Sequence, residues 1–180
     1  SWICDPDSGG MVAKVTTIMV GGGVIGLLST YLLASAGQDV VLLESGTAGS
    51  EASWAGGGIV SPLYPWRYSP AVTALAHWSQ SFYPQLGEQL LEQTQIDPEV
   101  YETGLYWLDL QDEDQALGWA RQHGRPLQSV PMAQVHAAVP ALGPGFERAV
   151  YMSGVANVRN PRLLKALRAA LQQLPNVRLI

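Results

Sequence analysis

Residues 15–26 read VTTIMVGGGVIG and residues 39–44 read DVVLLE. The first run indicates a strand that ends in a glycine turn, the residues after it favour a helix, and the second run indicates another strand. Gly21, Gly23 and Gly26 have the spacing G-x-G-x-x-G of a dinucleotide-binding turn. In such a turn the first glycine allows the sharp bend, the second lets a pyrophosphate approach the backbone, and the third lets the helix pack closely. The helix then directs its N-terminal N–H groups at the phosphates.

The surroundings of the glycine turn strengthen this prediction. Gly37 stands where a helix C-cap is expected. Glu44 ends the second strand, where a carboxylate can accept hydrogen bonds from ribose hydroxyls. The alternative is a glycine-rich turn of an α/β protein that binds no ligand. Because a carboxylate repels a ribose 2′-phosphate, Glu44 disfavours NADP, and the turn alone leaves both FAD and NAD open.

Composition narrows the class of protein. The 180-residue chain has a formal net charge of -5, which argues against binding to nucleic acid or to an anionic membrane. No apolar run reaches the roughly 18 residues of a membrane-spanning helix. Cys4 is the only cysteine, so an internal disulfide is impossible and a cytoplasmic location fits. His77, His123 and His136 lack the spacing of metal ligands, so no metal site is predicted.

The beginning of the chain is expected to lie outside the fold. Residues 1–14 are interpreted as a leader or upstream segment, with Met11 suited to be a native start. Residues 1–10 lack the basic and apolar regions of a signal peptide. The folded domain is therefore expected to begin at residue 15.

The rest of the chain alternates helical and strand patterns. Pro84 should break or kink the first long helix near Phe82. Asp112 and Asn160 are predicted to N-cap two later helices, the second with Pro161 in its first turn. The patterns predict helices over 71–94, 112–122 and 160–174, a short helix within 130–139, and strands over 101–110, 147–152 and from 177 onward.

Two segments are irregular in sequence. Residues 45–60 are small and glycine-rich, so they either lie flat against a planar ligand or form a flexible loop. Residues 61–70 contain three prolines, and their aromatic side chains with Arg67 line a cleft or form a packed surface loop.

Several stretches resemble one known family. They are VGGGVIG at 20–26, LESG at 43–46, EASWAGGGI at 51–59, SPLYPWRY at 61–68 and NVRNPRLL at 157–164. From about residue 15 to residue 180 the chain resembles the FAD-dependent amino-acid oxidases of the D-amino acid oxidase superfamily, and within it the glycine oxidases of thiamine biosynthesis. Many flavoproteins share the first stretch, whereas the later ones are much more specific.

The resemblance implies FAD rather than NAD as the cofactor. It places the glycine turn around the pyrophosphate, the end of the second strand at the adenosine ribose, and the small-residue loop beside the phosphates and the isoalloxazine. The implied cofactor-binding residues are Gly21, Gly23, Val24, Ile25, Gly26, Glu44, Ser45, Ala52, Ser53, Gly57, Gly58 and Ile59.

The resemblance also implies the reaction. A small amino acid such as glycine, sarcosine, proline or a D-amino acid would lose a hydride to the flavin, the imine would hydrolyse, and oxygen would yield hydrogen peroxide. The family's substrate-binding arginine is expected beyond Ile180, so no catalytic residue is assigned. Arg67 and Arg159 are expected in surface salt bridges instead. Two alternatives remain, namely another FAD or NAD oxidoreductase of the same fold, or an inactive nucleotide-binding fragment.

The expected fold is α/β, with a Rossmann-like FAD-binding domain built on a parallel sheet and the start of an inserted, mostly antiparallel substrate domain. Residues 15–98 and 154–180 are assigned to the first domain, and residues 99–153 to the second. The strands at 15–20 and 39–44 should be adjacent and parallel, and the strand from Val177 should join them. Open strand edges and apolar faces favour marginal stability, weak FAD binding and association into homo-oligomers.

Overall fold

The computed structural model describes residues 2–4, 11–13, 16–49 and 52–180. Its strands are β1 Trp2–Cys4, β2 Met11–Ala13, β3 Thr16–Val20, β4 Asp39–Leu43, β5 Ile59–Val60, β6 Tyr101–Glu102, β7 Leu105–Leu108, β8 Leu127–Val130, β9 Ala149–Met152, β10 Ala156–Asn157 and β11 Val177–Leu179. Its α-helices are α1 Val24–Ser35, α2 Ala52–Ala55, α3 Pro70–Thr94, α4 Glu113–Gln122, α5 Met132–Ala138 and α6 Asn160–Gln173, and Pro65–Arg67 forms a 3₁₀ turn.

The chain forms two compact units, and neither is continuous in sequence. The first unit takes the described residues up to Gly57 together with residues 87–99 and 159–180, and the second takes residues 58–86 and 100–158. These bounds differ from the predicted domains chiefly because residues 58–86 group with the second unit. Within the second unit, β5 pairs with β10, and β10 pairs with β6. Which unit binds cofactor and which binds substrate stays a prediction.

The first unit contains the predicted parallel sheet, in the order β11-β4-β3. Val20 pairs with Leu43 in the β3–β4 ladder, and Val177 pairs with Val40 in the β11–β4 ladder. Both the adjacency of the first two strands and the addition of the last one are confirmed. Of the residues expected to form a leader, Trp2–Cys4 and Met11–Ala13 pair as a short antiparallel ribbon.

Helices α1 and α6 supply much of the core of the first unit. Leu27 on α1 and Leu167 on α6 are fully buried, and so is Leu42 on β4. Fully burying a leucine contributes about 2 kcal/mol. The predicted N-cap of α6 is wrong by one residue, because the helix already includes Asn160 and begins with Arg159 in the N-cap position. The side-chain nitrogen of Asn160 instead lies against Gly56, 2.6 Å from the position that a Cβ would take there.

The second unit is built on the antiparallel sheet β7-β9-β8. Its core gathers Trp66, Trp107, Val150 and Met152, all at most 6% exposed. The predicted strand over 101–110 is interrupted, since β6 pairs with β10 whereas β7 pairs with β9. Gly104 makes the break in the left-handed region at φ 72°.

The predicted break of the first long helix at Pro84 is wrong, whereas the alternative of a kink near Phe82 stays a prediction. Helix α3 runs without a break from Pro70 to Thr94, with Pro84 inside it. A single proline removes one helical hydrogen bond, and the fully buried Leu86 and Leu90 anchor the turns that follow. Asp112 does precede α4, but its carboxylate makes no capping bond.

The carboxylate of Asp112 serves tertiary structure instead. It accepts hydrogen bonds from Trp66 Nε1 at 2.8 Å and from Arg67 Nε and Nη2 at 2.8 and 2.7 Å. The Arg67 guanidinium, with the indole N–H of Trp66, holds the pKa of Asp112 well below its usual range. Arg67 is thus in an ion pair, as is Arg159 with Glu99 at 3.4 Å, so both predicted salt bridges are confirmed.

Candidate cofactor site

The turn between β3 and α1 is so tight that it requires glycine at two of its motif positions, Gly21 and Gly26. Gly21 has φ +99°, a conformation that L side chains rarely adopt, and its N–H donates to the carbonyl of Leu43 at 2.8 Å. A Cβ on Gly26 would stand only 1.8 Å from the carbonyl oxygen of Gly21 and 3.7 Å from Leu42. The third glycine of the motif therefore lets the helix approach both the turn and the second strand.

Helix α1 presents its N-terminus without a charge of its own. Gly23 occupies the N-cap position at φ -72° and ψ -177°, makes no side-chain cap, and is followed by no acidic residue in the first turn. Ser53 supplies an acceptor from outside the helix, because its hydroxyl oxygen accepts the N–H of Val24 at 3.0 Å. The hydroxyl hydrogen of Ser53 remains available for a second acceptor. The positive end of the helix dipole is thus suited to an anion.

Glu44 is fixed beside the same turn by backbone donors. Its Oε2 accepts the N–H of Gly22 at 2.6 Å, and its Oε1 accepts the N–H of Gly46 at 2.8 Å and the hydroxyl of Ser45 at 3.4 Å. The N–H groups of Gly22 and then of Gly46 hold the pKa of the Glu44 carboxyl below its ordinary value of 4.5. Glu44 is therefore an ionised acceptor at neutral pH.

Two adjoining cavities meet at Glu44, and both belong to the first unit. The smaller, of about 130 Å³, is lined by Gly22, Gly23, Glu44, Thr47, Gly49, Ala52 and Ser53. The larger, of about 430 Å³, is lined by Val20, Gly21, Leu43, Glu44, Ser45 and Ile180. The residues fit a dinucleotide, since a phosphate-sized space lies against the helix N-terminus and a larger space lies beside an anionic acceptor.

The structure brings most of the predicted site residues together in the first unit. Ile25 is 76% exposed on the first turn of α1, and Gly57 follows α2 at a place where a Cβ would meet no described atom within 4 Å. Gly58 and Ile59 belong to the second unit, where the carbonyl of Gly58 accepts the N–H of Val158 at 2.8 Å. Ile59 opens β5 and is 42% exposed. The predicted roles of all twelve residues in cofactor binding stay predictions.

Sequence reasoning missed the backbone around Glu44. Gly22 lies outside the three motif positions, yet its N–H makes a shorter hydrogen bond to the Glu44 carboxylate than the N–H of Gly46 does. A Cβ on Gly22 would also meet the Ala48 side chain at 2.8 Å. Gly46 and Gly49 likewise belong to this wall of the site. The run of glycines and small residues after Glu44 was the available signal, because a Cβ at Gly49 would stand only 3.0 Å from the Leu164 side chain.

Other kinds of site receive no support. The three histidines His77, His123 and His136 are all exposed. Across residues 2–4, 11–13, 16–49 and 52–180, no cluster of three or more metal-binding side chains occurs. Within the part of the chain that the structure describes, no helix is both long enough and apolar enough to cross a membrane.

The parallel β3–α1–β4 unit, its glycine turn and its terminal acid define the class of α/β dinucleotide-binding folds. The sequence matches the family described as "DAO: FAD dependent oxidoreductase" over residues 17–180, and the chain belongs to this family. The cofactor of the family is FAD, as the resemblance of the motifs implied.

Its relatives narrow the family further. The chain is 68% identical over 162 residues to a glycine oxidase of Pseudomonas aeruginosa, covering 90% of this chain and 44% of that protein. It is 65% identical to a glycine oxidase of Pseudomonas putida with the same coverage. The crystal structure of glycine oxidase from Geobacillus kaustophilus superposes with a TM-score of 0.80 at 32% identity, over 92% of this chain and 45% of that one. The chain thus spans less than half the length of these relatives.

Proposed function

We propose that this chain provides the FAD-binding turn of an oxidase that acts on a small amino acid. The observation that carries the proposal is the placement of Glu44, which is held as an ionised acceptor at the edge of a glycine turn that also exposes a helix N-terminus. Membership of an FAD-dependent family and high identity to glycine oxidases support it.

In this proposal the turn binds the pyrophosphate. The positive end of α1 attracts the phosphates, and Gly23 allows them to approach the backbone. Ser53 is oriented by the N–H of Val24, so its hydroxyl hydrogen can donate to a phosphate oxygen. Gly21, Ile25, Gly26 and Ala52 complete this part of the site.

Glu44 binds the adenosine ribose in the same proposal. A carboxylate offers about four lone-pair sites, and the N–H groups of Gly22 and Gly46 with the hydroxyl of Ser45 use three of them. The remaining site can accept one ribose hydroxyl and a second ribose hydroxyl can replace the 3.4 Å bond from Ser45, whereas a 2′-phosphate would be repelled. Ser45 lies next to this position, and Gly57, Gly58 and Ile59 are proposed to lie beside the isoalloxazine.

The proposed activity is that of a protein of the relatives' full length, of which this chain spans less than half. Bound FAD supplies the oxidation of a small amino acid to an imine, with oxygen as the acceptor and hydrogen peroxide as a product. The candidate substrates are glycine, sarcosine, proline and small D-amino acids. The proposed pathway is thiamine biosynthesis, and the proposed location is the cytoplasm. Residues 15–98 and 154–180 are proposed as the cofactor domain and residues 99–153 as part of the substrate domain.

Replacing Glu44 tests the ribose contact. Glu44→Gln should raise the Kd for FAD by about 10-fold to 100-fold, because a neutral amide replaces a charged acceptor and one amide N–H would face a backbone N–H. Calorimetric titration of the 180-residue chain with FAD measures this change.

The matched control is Glu88→Gln, which removes an exposed carboxylate on α3 and should leave the Kd unchanged. Equal FAD affinity in Glu44→Gln and the unaltered chain would contradict the ribose assignment. A colourless chain that takes up ADP but no FAD would instead favour the nucleotide-binding fragment.

The 180-residue chain should bind FAD without turning over substrate. Arg67 and Arg159 are held by Asp112 and Glu99, and the family's substrate-binding arginine is expected beyond Ile180. A peroxidase-coupled assay with glycine, sarcosine and D-alanine, with FAD added, should therefore detect no hydrogen peroxide above background. Turnover by a monodisperse monomer would show that the catalytic groups lie within these residues and would overturn the proposed division into domains.

A further inference from the structure

The second unit contains a cavity that the cofactor site does not explain. It has a volume of about 490 Å³, which is within the range of small-molecule sites. All of its lining residues lie in the second unit, on or just after the 3₁₀ turn, in the first half of α3, and at or just after the end of α4. Its chemically informative members are Trp66, Tyr68, His77, Trp119, His123 and Arg125.

Arg125 brings an unneutralised charge to this cavity. Its Nη2 donates to Gln80 Oε1 at 2.8 Å and its Nη1 donates to His77 Nδ1, while its buried Nε has no hydrogen-bond partner among the described residues. Among the residues that the structure describes, no carboxylate forms an ion pair with Arg125, whereas Arg67 is paired with Asp112. Burial lowers the pKa of the Arg125 guanidinium. A partly buried cation of this kind is normally paired.

The donors around Arg125 can be assigned from these bonds. A guanidinium can only donate, so Nδ1 of His77 is the acceptor of this bond. The guanidinium has five N–H groups, and the two acceptors His77 and Gln80 leave others without a partner among the residues described. The cavity therefore offers hydrogen-bond donors in excess of acceptors at one end.

Aromatic rings form another part of the cavity. The ring of His123 stacks on that of Trp119, with centroids 5.3 Å apart and planes 28° apart, and Trp66 lies 6.4 Å from Trp119. The indole N–H of Trp66 is already bound to Asp112, so Trp66 offers the cavity only its ring surface. Aromatic rings prefer stacked or edge-to-face contacts with other rings, so these side chains suit a flat aromatic group.

We propose that this cavity binds a small planar aromatic carboxylate, with the carboxylate on Arg125 and the ring against Trp119 and its aromatic neighbours. The ligand would supply the counter-charge that the protein does not, and a carboxylate matches the planar fork of a guanidinium. None of the residues that line this cavity is among the residues proposed to bind FAD. Its test therefore does not depend on cofactor binding.

The proposal is tested by calorimetric titration of the 180-residue chain, without FAD, with 2-naphthoate. The unaltered chain should bind, and Arg125→Gln should weaken binding by about tenfold or more, as expected for loss of a charge-assisted bond. Arg121→Gln is the matched control, because Arg121 is an exposed arginine in the last turn of α4, and it should leave the affinity unchanged. Arg125→Lys keeps the charge but loses the planar fork, so its affinity should lie between the two.

Two further probes test the contributions of the ring and of the carboxylate to binding separately. Inorganic phosphate lacks the ring and 2-naphthol lacks the carboxylate, so each should bind at least about tenfold more weakly than 2-naphthoate. Circular dichroism of every variant establishes that the fold is retained. Absence of 2-naphthoate binding to the unaltered chain, equal binding to a folded Arg125→Gln variant, or equally tight binding of phosphate would each overturn the proposal.

Discussion

Gly26→Ala should lower the free energy of unfolding of this chain by about 3 kcal/mol or more. The added methyl group would stand 1.8 Å from the carbonyl oxygen of Gly21 and 3.0 Å from its carbonyl carbon. These are backbone atoms, so no side-chain rotation can relieve the overlap, and α1 must move away from the turn. Small domains have only about 5–15 kcal/mol of stability in total, so the effect should be plain in urea unfolding followed by circular dichroism.

A second glycine controls for the change of residue type. Gly118 lies inside α4, where a Cβ would meet only Arg121 Nη2, at 3.9 Å. Gly118→Ala should therefore raise stability by about 0.5–1 kcal/mol, the ordinary gain for alanine in a helix. An unfolding midpoint of Gly26→Ala equal to that of the unaltered chain would show that the turn is not as close as described.

Gly23→Val should leave the chain folded and weaken FAD binding by about a hundredfold or more. The N-cap backbone at φ -72° and ψ -177° is one that valine adopts readily. A Cβ would meet only Ser53 Oγ, at 3.2 Å, so a shift of a few tenths of an ångström accommodates it. The two methyl groups would occupy the space in front of the helix N-terminus, where loss of one or two charge-assisted phosphate bonds gives the expected factor.

The measurement is an FAD titration followed by flavin absorbance and calorimetry, with circular dichroism to establish the fold. Gly143→Val is the control, because no described atom lies within 4 Å of a Cβ at that exposed position, and it should bind FAD as the unaltered chain does. Undiminished FAD binding by a folded Gly23→Val variant would rule out the phosphate cradle. The two motif glycines thus separate a role in folding from a role in binding.

Much of the first unit could be predicted because its signals are local and agree with one another. The apolar run before Gly21, the helix after it and the run ending at Glu44 predicted two parallel strands, and these pair in register. The failures have a common cause. Asp112 and Asn160 are good capping residues by type, yet Asp112 bonds to Trp66 and Arg67, and Asn160 lies against Gly56. In both cases the side chain lies against residues that are distant in sequence and does not cap its helix.

The candidate site shows the same division. The glycine spacing and the terminal acid pointed to the turn and to Glu44, because both follow from the order of elements along the chain. The bond from Val24 to Ser53 spans 29 positions and ends in the glycine-rich stretch after Glu44, so no local rule could have found it. The pairing of Glu44 with Gly22 was equally hidden, since a backbone N–H carries no residue-type signal.

The interleaving of the two units has a consequence for how the chain acquires its structure. Val177 must pair with Val40, which is distant in sequence, before the parallel sheet is complete. Strands β5 and β6 must likewise wait for β10, because both pair with it. Closing such large loops has an entropic cost before any contact compensates for it, which slows folding. During synthesis the β3–α1–β4 unit leaves the ribosome early, with one edge of β4 unpaired until residues 177–179 follow. That edge is the place where premature association between nascent chains would begin.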